Sequence, residues 1–106
     1  MSALGAELDA LARTIDERAG GDPTRSYTAS LVAEGVQKCA KKLGEEAVEA
    51  ALAAVSGDRD ALAREAADVL FHLLVTLRAA DVSPDAVAAV LVARRGVSGL
   101  EEKARR

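Results

Sequence analysis

The stretch from about Asp60 to Ala80 predicts a helix that is apolar almost all round, and this feature limits the possible folds more than any other. Its apolar members are Ala66, Ala67, Val69, Leu70, Phe71, Leu73, Leu74, Val75 and Leu77. A helix with this pattern has to be buried on several sides. A chain of 106 residues has too few other helices to cover it, so we expect an oligomer, most simply a two-fold homodimer.

The composition favours a single all-α domain that covers residues 1–106. Half of the residues are apolar but only 2% are aromatic, with Tyr27 and Phe71 as the only members. The core therefore has to be built from Ala, Leu and Val, which favours closely packed helices over sheet. We expect a bundle of four to five helices, completed by dimerisation, with residues 96–106 as a charged C-terminal tail that is solvated or orders on a ligand.

Apolar spacing and stop signals predict four helices along the chain. They cover residues 3–18, 28–55 and 60–80, and the fourth starts at Ser83, Pro84 and Asp85 and ends by Gly96. In the second helix we expect an inward stripe, with a break or a close backbone approach near Gly35. The stripe consists of Val36, Ala40, Leu43, Ala47, Ala50, Ala51 and Ala54.

Charge and cysteine content exclude several classes of protein. The net charge of −3 gives no general electrostatic footprint for nucleic acid or for an anionic membrane. Cys39 is the only cysteine, so an intrachain disulfide framework is excluded, and we interpret this residue as a small buried helix residue. Because the sequence shows neither a membrane span nor a signal peptide, we expect a soluble, cytoplasmic protein.

Carboxylates on the second and third helices form the main candidate site. Glu46 and Glu49 flank the apolar stripe of helix two, whereas Glu45 points away from the core. On helix three the only polar stripe is Glu65, Asp68, His72 and Thr76. Antiparallel packing of the two helices would bring Glu46 and Glu49 near Glu65 and Asp68.

Clustered, partly buried carboxylates repel one another and are costly to bury unless a cation compensates them. Oxygen ligands select hard cations, and an incomplete protein shell suits Mg²⁺, with Mn²⁺ as a substitute, better than Ca²⁺. The alternative is that the glutamates are solvated or pair with lysines on the helix surface. His72 is interpreted as a satisfied interior histidine rather than a ligand.

Basic residues lie on both sides of these acids. Lys38, Lys41 and Lys42 precede them on the same helix, where they either pair with the glutamates or hold phosphate oxygens. The C-terminal region adds Arg94, Arg95, Lys103, Arg105 and Arg106, which are either a second phosphate grip or simply solvated. Among them, Arg95 and Lys103 are the candidate phosphate-binding residues.

The runs KCAKKLGEEAVEA (38–50), REAADVLFHLLVTL (64–77) and RRGVSGLEEKARR (94–106) resemble the phosphoribosyl-ATP pyrophosphatase family of histidine biosynthesis. The likeness extends from Leu4 onward. Its EExxE and ExxD core is also the pattern of the wider all-α nucleoside triphosphate pyrophosphohydrolase superfamily, which includes MazG-like proteins. The SYTASL segment (26–31), the KKLGEE turn and the SGLEEKA tail are similar to the histidine-pathway family in particular.

This resemblance implies an all-α MazG-like dimer that hydrolyses phosphoribosyl-ATP to phosphoribosyl-AMP and pyrophosphate with Mg²⁺. By the family motif, the metal-binding acids correspond to Glu46, Glu49, Glu65 and Asp68. Glu45 or Glu49 is the expected base for a metal-activated water. Two other functions remain open, namely a MazG-like housekeeping hydrolase of nucleoside triphosphates and a non-catalytic helical dimerisation module.

Overall fold

Six α-helices make up the computed structural model, which describes residues 2–97 and 99–105. They are α1 (Ala3–Ala19), α2 (Tyr27–Glu34), α3 (Val36–Ser56), α4 (Arg59–Ala79), α5 (Pro84–Arg94) and α6 (Gly99–Arg105). Residues 2–97 and 99–105 contain no strand. The predicted all-α class is confirmed.

Most of the helix starts are fixed by a capping side chain. The side chains of Ser2, Ser26, Asp58 and Ser83 each accept a hydrogen bond from the backbone N–H three residues later. Such a cap satisfies one of the amides that a helix leaves without an internal partner. The predicted start at Ser83 and Pro84 is confirmed, because Pro84 occupies the first turn of α5.

A one-residue break at Gly35 separates α2 from α3, so the prediction of one helix over residues 28–55 is wrong, whereas the break expected near Gly35 is confirmed. Gly35 has φ 95° and ψ 174°, a backbone conformation that essentially only glycine adopts. The break is bridged by a hydrogen bond from Cys39 Sγ to the backbone oxygen of Leu31, at 3.2 Å. The two helices therefore change direction at Gly35 and remain tied together.

Replacing Gly35 by Ala is expected to lower the free energy of unfolding by about 1–3 kcal/mol, because the added Cβ is strained at this φ although the space around it is open. Gly44, in the middle of α3, is the matched control. A Cβ there meets nothing within 4 Å, so Gly44→Ala is expected to stabilise the protein by about 0.5–1 kcal/mol. Urea denaturation of both variants measures the difference, and equal stability of the two would contradict the assigned role of Gly35.

The core lies where α1 and α2 meet the hairpin of α3 and α4. The helices α3 and α4, joined by a short turn at Gly57 and Asp58, share the largest contact surface in the described part of the chain. The buried cluster consists of Ile15, Leu31, Cys39 and Val75. The interpretation of Cys39 as a buried helix residue is confirmed, and removal from water raises the pKa of its thiol.

The inward face of α3 differs from the predicted alanine stripe. Leu43 and Ala50 are half-buried, but the remaining stripe residues are exposed, namely Val36, Ala40, Ala47, Ala51 and Ala54. The observed inward face is Cys39, Lys42, Leu43, Glu46, Ala50 and Ala53. Alanine carries little apolar area, so its spacing did not define the buried face. The face that meets α4 is therefore rotated toward the carboxylates.

The two C-terminal helices make few contacts with the rest of the described chain. Neither α5 nor α6 shares an extensive contact surface with another helix among the described residues. Residues predicted as a charged tail, 96–106, contain α6. Within residues 2–97 and 99–105, no helix combines the length and the apolar character that crossing a bilayer requires.

Candidate metal centre

Three glutamates from two helices converge at one place. Glu46 and Glu49 come from α3 and Glu65 comes from α4, and one carboxylate oxygen of each lies within 4.8 Å of the others. Glu46 and Glu49 are three residues apart and so share one side of α3. Because α3 and α4 form an antiparallel hairpin, that side meets Glu65 directly.

Asp68 lies one turn after Glu65 and borders this cluster without belonging to the closest group. Its charge raises the pKa values of both Glu46 and Glu65, which places its carboxylate on the same side of α4. The structure thus brings three of the four predicted ligands together and sets the fourth beside them. Their roles as ligands stay a prediction.

The crowding has a clear electrostatic consequence. Partial removal from water raises the pKa of Glu46 above its usual value, and the charge and hydrogen bond of Glu49 raise it further. The same causes, in the same order, raise the pKa of Glu65. His72, when protonated, lowers the pKa of Glu46 through its positive charge. A bound cation relieves both the repulsion and the desolvation of such acids.

One carboxylate oxygen of the cluster needs a partner that the described residues do not supply. Glu65 Oε2 is shielded from solvent and has no hydrogen-bond partner in the described part of the chain. A buried carboxylate oxygen without a partner is costly. Three carboxylates offer only oxygen donors and leave coordination positions for water and phosphate, which fits Mg²⁺ or Mn²⁺.

Glu45 and the lysines occupy the adjoining turn of α3. Glu45 faces Lys42, with 3.5 Å between Oε2 and Nζ, and it lies outside the carboxylate group. Tyr27, when ionised, and the carboxylate of Glu45 raise the pKa of Lys42, and Lys42 is an ammonium at neutral pH. Lys38 and Lys41 are exposed on α3. Lys42 is the predicted phosphate ligand that the structure places closest to the acids.

Two of the predicted C-terminal cations, Arg95 and Lys103, are described, and they lie at the C-terminal helices and not on α3 or α4. Arg95 ends α5 and Lys103 lies on α6, both exposed, and neither helix packs extensively on α3. Arg106 lies outside the described residues, as does the side chain of Arg105. A phosphate contact from this region stays a prediction.

The sequence analysis did not assign a role to Tyr27 and did not predict its contact with His72. The Tyr27 hydroxyl lies 3.3 Å from His72 Nε2, and His72 Nδ1 lies 2.8 Å from the Asp68 carbonyl oxygen. The interpretation of His72 as a satisfied interior histidine is confirmed. The available signal for Tyr27 was the SYTASL segment, in which Ser26 caps α2 and so fixes Tyr27 as its first residue.

Comparison with known proteins gives consistent matches. A family model described as phosphoribosyl-ATP pyrophosphohydrolase matches residues 8–95. A phosphoribosyl-ATP pyrophosphatase of Cereibacter sphaeroides strain KD131 is 60% identical over 99 residues, which cover 93% of this chain and 96% of that protein. Proteins of the same name from Jannaschia sp. strain CCS1 and Caulobacter sp. strain K31 are each 58% identical, over 93% and 100% of this chain and 97% and 98% of their own.

Proposed function

The chain belongs to the phosphoribosyl-ATP pyrophosphohydrolase family, and we propose that it hydrolyses phosphoribosyl-ATP to phosphoribosyl-AMP and pyrophosphate, the second step of histidine biosynthesis. The observation that carries this proposal is the convergence of Glu46, Glu49 and Glu65. One oxygen of Glu65 is shielded there and has no hydrogen-bond partner among the described residues. This arrangement suits a cation-assisted attack on a polyphosphate, because such reactions depend on charge neutralisation and positioning.

The residues of the candidate site have different roles in this reaction. Glu46, Glu49, Glu65 and Asp68 would hold Mg²⁺ or Mn²⁺, which when bound neutralises phosphate charge and increases the acidity of water. Lys42 holds phosphate oxygens beside the cluster. Glu49 is the exposed member of the cluster, and it is the better candidate base because Glu45 is engaged with Lys42.

The bond changes of the proposed reaction are simple. The oxygen of water forms a bond to the α-phosphorus, and the bond from that phosphorus to the departing pyrophosphate oxygen breaks. One proton of the water passes to a carboxylate oxygen, for which Glu49 has the better position. Pyrophosphate leaves with the electron pair of the broken bond. The chain thus needs to supply only a proton acceptor and fixed charges.

The test is the release of pyrophosphate from phosphoribosyl-ATP by the purified protein with Mg²⁺, compared with release from ATP and from the ordinary deoxynucleoside triphosphates. We expect kcat/KM for phosphoribosyl-ATP to exceed the others by at least about a hundredfold, because only this substrate fills the whole site. Preference for ordinary triphosphates would select the housekeeping hydrolase instead. Absence of turnover, together with absence of Mg²⁺ binding by calorimetry, would select the non-catalytic module.

We further propose that the protein acts as a homodimer. Exposed apolar side chains occur on α3, α4 and α5, among them Leu52, Leu73 and Leu91. Burying a side chain of this size contributes about 1.5–3 kcal/mol, and a second copy offers a matching apolar surface. Light scattering should give twice the chain mass of 10.9 kDa at micromolar concentration, and a monomer there contradicts the proposal.

A cytoplasmic location completes the proposal. The substrate and both products are phosphorylated and charged, so they do not cross membranes unaided and are kept where they are made. The lone Cys39 is buried and reduced, which agrees with a reducing compartment.

A further inference from the structure

Three rings form a compact group at the edge of the carboxylate cluster. The rings of Tyr27 and Phe71 lie nearly parallel, with centroids 6.1 Å apart and planes at 16°. The edge-on contact of His72 with Phe71, at 5.0 Å and 90°, completes the group. His72 is 6% exposed, but Tyr27 is 55% exposed. The group therefore joins an exposed tyrosine to a buried histidine and a half-buried phenylalanine.

The hydrogen bonds of His72 fix the direction in which the Tyr27 hydroxyl points its proton. The carbonyl oxygen of Asp68 can only accept a hydrogen bond, so His72 Nδ1, at 2.8 Å, carries the proton. In the neutral imidazole Nε2 then has only a lone pair. The Tyr27 hydroxyl, 3.3 Å from Nε2, has to donate to it. The phenol oxygen can consequently act toward a ligand only as a hydrogen-bond acceptor.

This direction decides which part of a nucleotide can bind there. A phosphate oxygen is itself an acceptor and gains nothing from a phenol whose proton is already given to His72. A hydroxyl group carries a proton and can donate it to the phenol oxygen. The Tyr27 oxygen therefore suits a sugar hydroxyl and not a phosphate.

The position of Tyr27 agrees with a contact to the sugar and not to the phosphates. The Tyr27 hydroxyl contacts His72, which lies one helical turn after Asp68 on α4, so the phenol borders the acids at their Asp68 end. Lys42 precedes Glu46 by one helical turn and shares its side of α3. Phosphates held between Lys42 and the acids thus leave the adjoining sugar at Tyr27.

We propose that Tyr27 is a substrate-binding residue whose hydroxyl accepts a hydrogen bond from a hydroxyl of the ribose next to the triphosphate, with His72 as a positioning residue. This inference rests on the proposed function, because it assumes a nucleotide substrate. It adds a residue pair from α2 and α4 that contacts the nucleoside side of the substrate and leaves the phosphate contacts to Lys42 and the acids.

The first test is Tyr27→Phe, which keeps the ring and its stacking on Phe71 and removes only the hydroxyl. We expect KM for phosphoribosyl-ATP to rise about tenfold, the effect of one lost hydrogen bond, with kcat within about twofold of the parent value. For the 2′,3′-dideoxy analogue of the substrate, the parent and the variant should have the same KM. Inhibition by Mg²⁺-pyrophosphate, which has no sugar, should be unchanged.

Other results overturn the inference. An unchanged KM for phosphoribosyl-ATP removes Tyr27 from the site, and an equal increase in KM for substrate and dideoxy analogue removes the sugar contact. Weaker inhibition by pyrophosphate in proportion to KM would mean that the variant disturbs the phosphate site. If the parent protein itself releases no pyrophosphate from phosphoribosyl-ATP, it is the proposed function that fails, and this outcome is distinct from all the others.

The positioning role of His72 is tested by a double-mutant cycle. His72→Gln alone should raise KM, but in the Tyr27→Phe background it should raise KM no further, because its effect acts through the missing hydroxyl. Additive increases would contradict the positioning role. Thermal unfolding monitored by circular dichroism checks that the variants fold, and the Tyr27→Phe result stands without the cycle.

Discussion

Replacing Glu46 by Gln is expected to lower kcat about a thousandfold while the helical structure persists. The amide keeps the size of the side chain but removes one of the three negative charges that converge with Glu49 and Glu65. The measurement is steady-state release of pyrophosphate with saturating Mg²⁺, together with the circular dichroism spectrum of the variant. Asp68→Asn, beside the cluster, is expected to lower kcat as well.

The control for this substitution is Asp60→Asn, which also removes one negative charge. Asp60 is exposed and lies near the start of α4. This variant should keep kcat within about twofold, since Asp60 lies more than one turn before Glu65 and outside the cluster. In the presence of a chelator, Glu46→Gln should also melt at a higher temperature than the parent, because it relieves the repulsion that raises the pKa of Glu65. Full activity of Glu46→Gln and Asp68→Asn would exclude the assigned site.

Removing divalent cations is expected to abolish the activity and to lower the melting temperature, and adding Mg²⁺ should restore both. Chelation by excess EDTA should leave less than about 1% of the rate, because no protein group replaces the charge of the cation. The pH dependence follows from the pKa values of Glu46 and Glu65, which are raised above 4.5 in the folded chain. Protons therefore compete with the cation at these carboxylates up to a higher pH than at ordinary ones.

In the chelated protein, the pH dependence of stability that comes from Glu46 and Glu65 is opposite to that of a carboxylate in an ordinary ion pair. A raised pKa in the folded state means that these two groups contribute most to stability below the usual value of 4.5. That contribution is lost as the pH rises through the raised values. The increase in melting temperature on adding Mg²⁺ should thus be larger at pH 7.5 than at pH 5. An equal increase at both pH values, or rescue of activity by Ca²⁺ as good as by Mg²⁺, would contradict the site.

The sequence predicted most of the helices because their ends carry strong local signals. Ser83 and Pro84 mark the start of α5, and Gly57 and Asp58 mark the turn of the hairpin. The course of α3 was harder to predict. Its alanines resemble one another in size and polarity, so their spacing did not identify the face that packs on α4, and the separation of α2 depended on the single backbone angle of Gly35.

The candidate site could be predicted in part for a different reason. Carboxylates three residues apart on each of two adjacent helices require only helical geometry and antiparallel packing to meet. That Glu65 Oε2 has no hydrogen-bond partner among the described residues depends on side-chain positions. So does the bond from Tyr27 to His72, two residues that lie 45 positions apart in the chain. Neither leaves a periodic signal in the sequence, and the sequence does not distinguish His72 from other interior histidines.

The glycine between α2 and α3 would also decide how far the proposed substrate pocket extends. Were residues 27–56 one unbroken rod, Tyr27 would lie about 22 Å from Lys42 along its axis, at about 1.5 Å for each residue. Instead the chain folds back at Gly35, and the phenol comes to rest against α4. A residue that touches no ligand would in this way set the boundary between the triphosphate and the nucleoside part of the bound molecule.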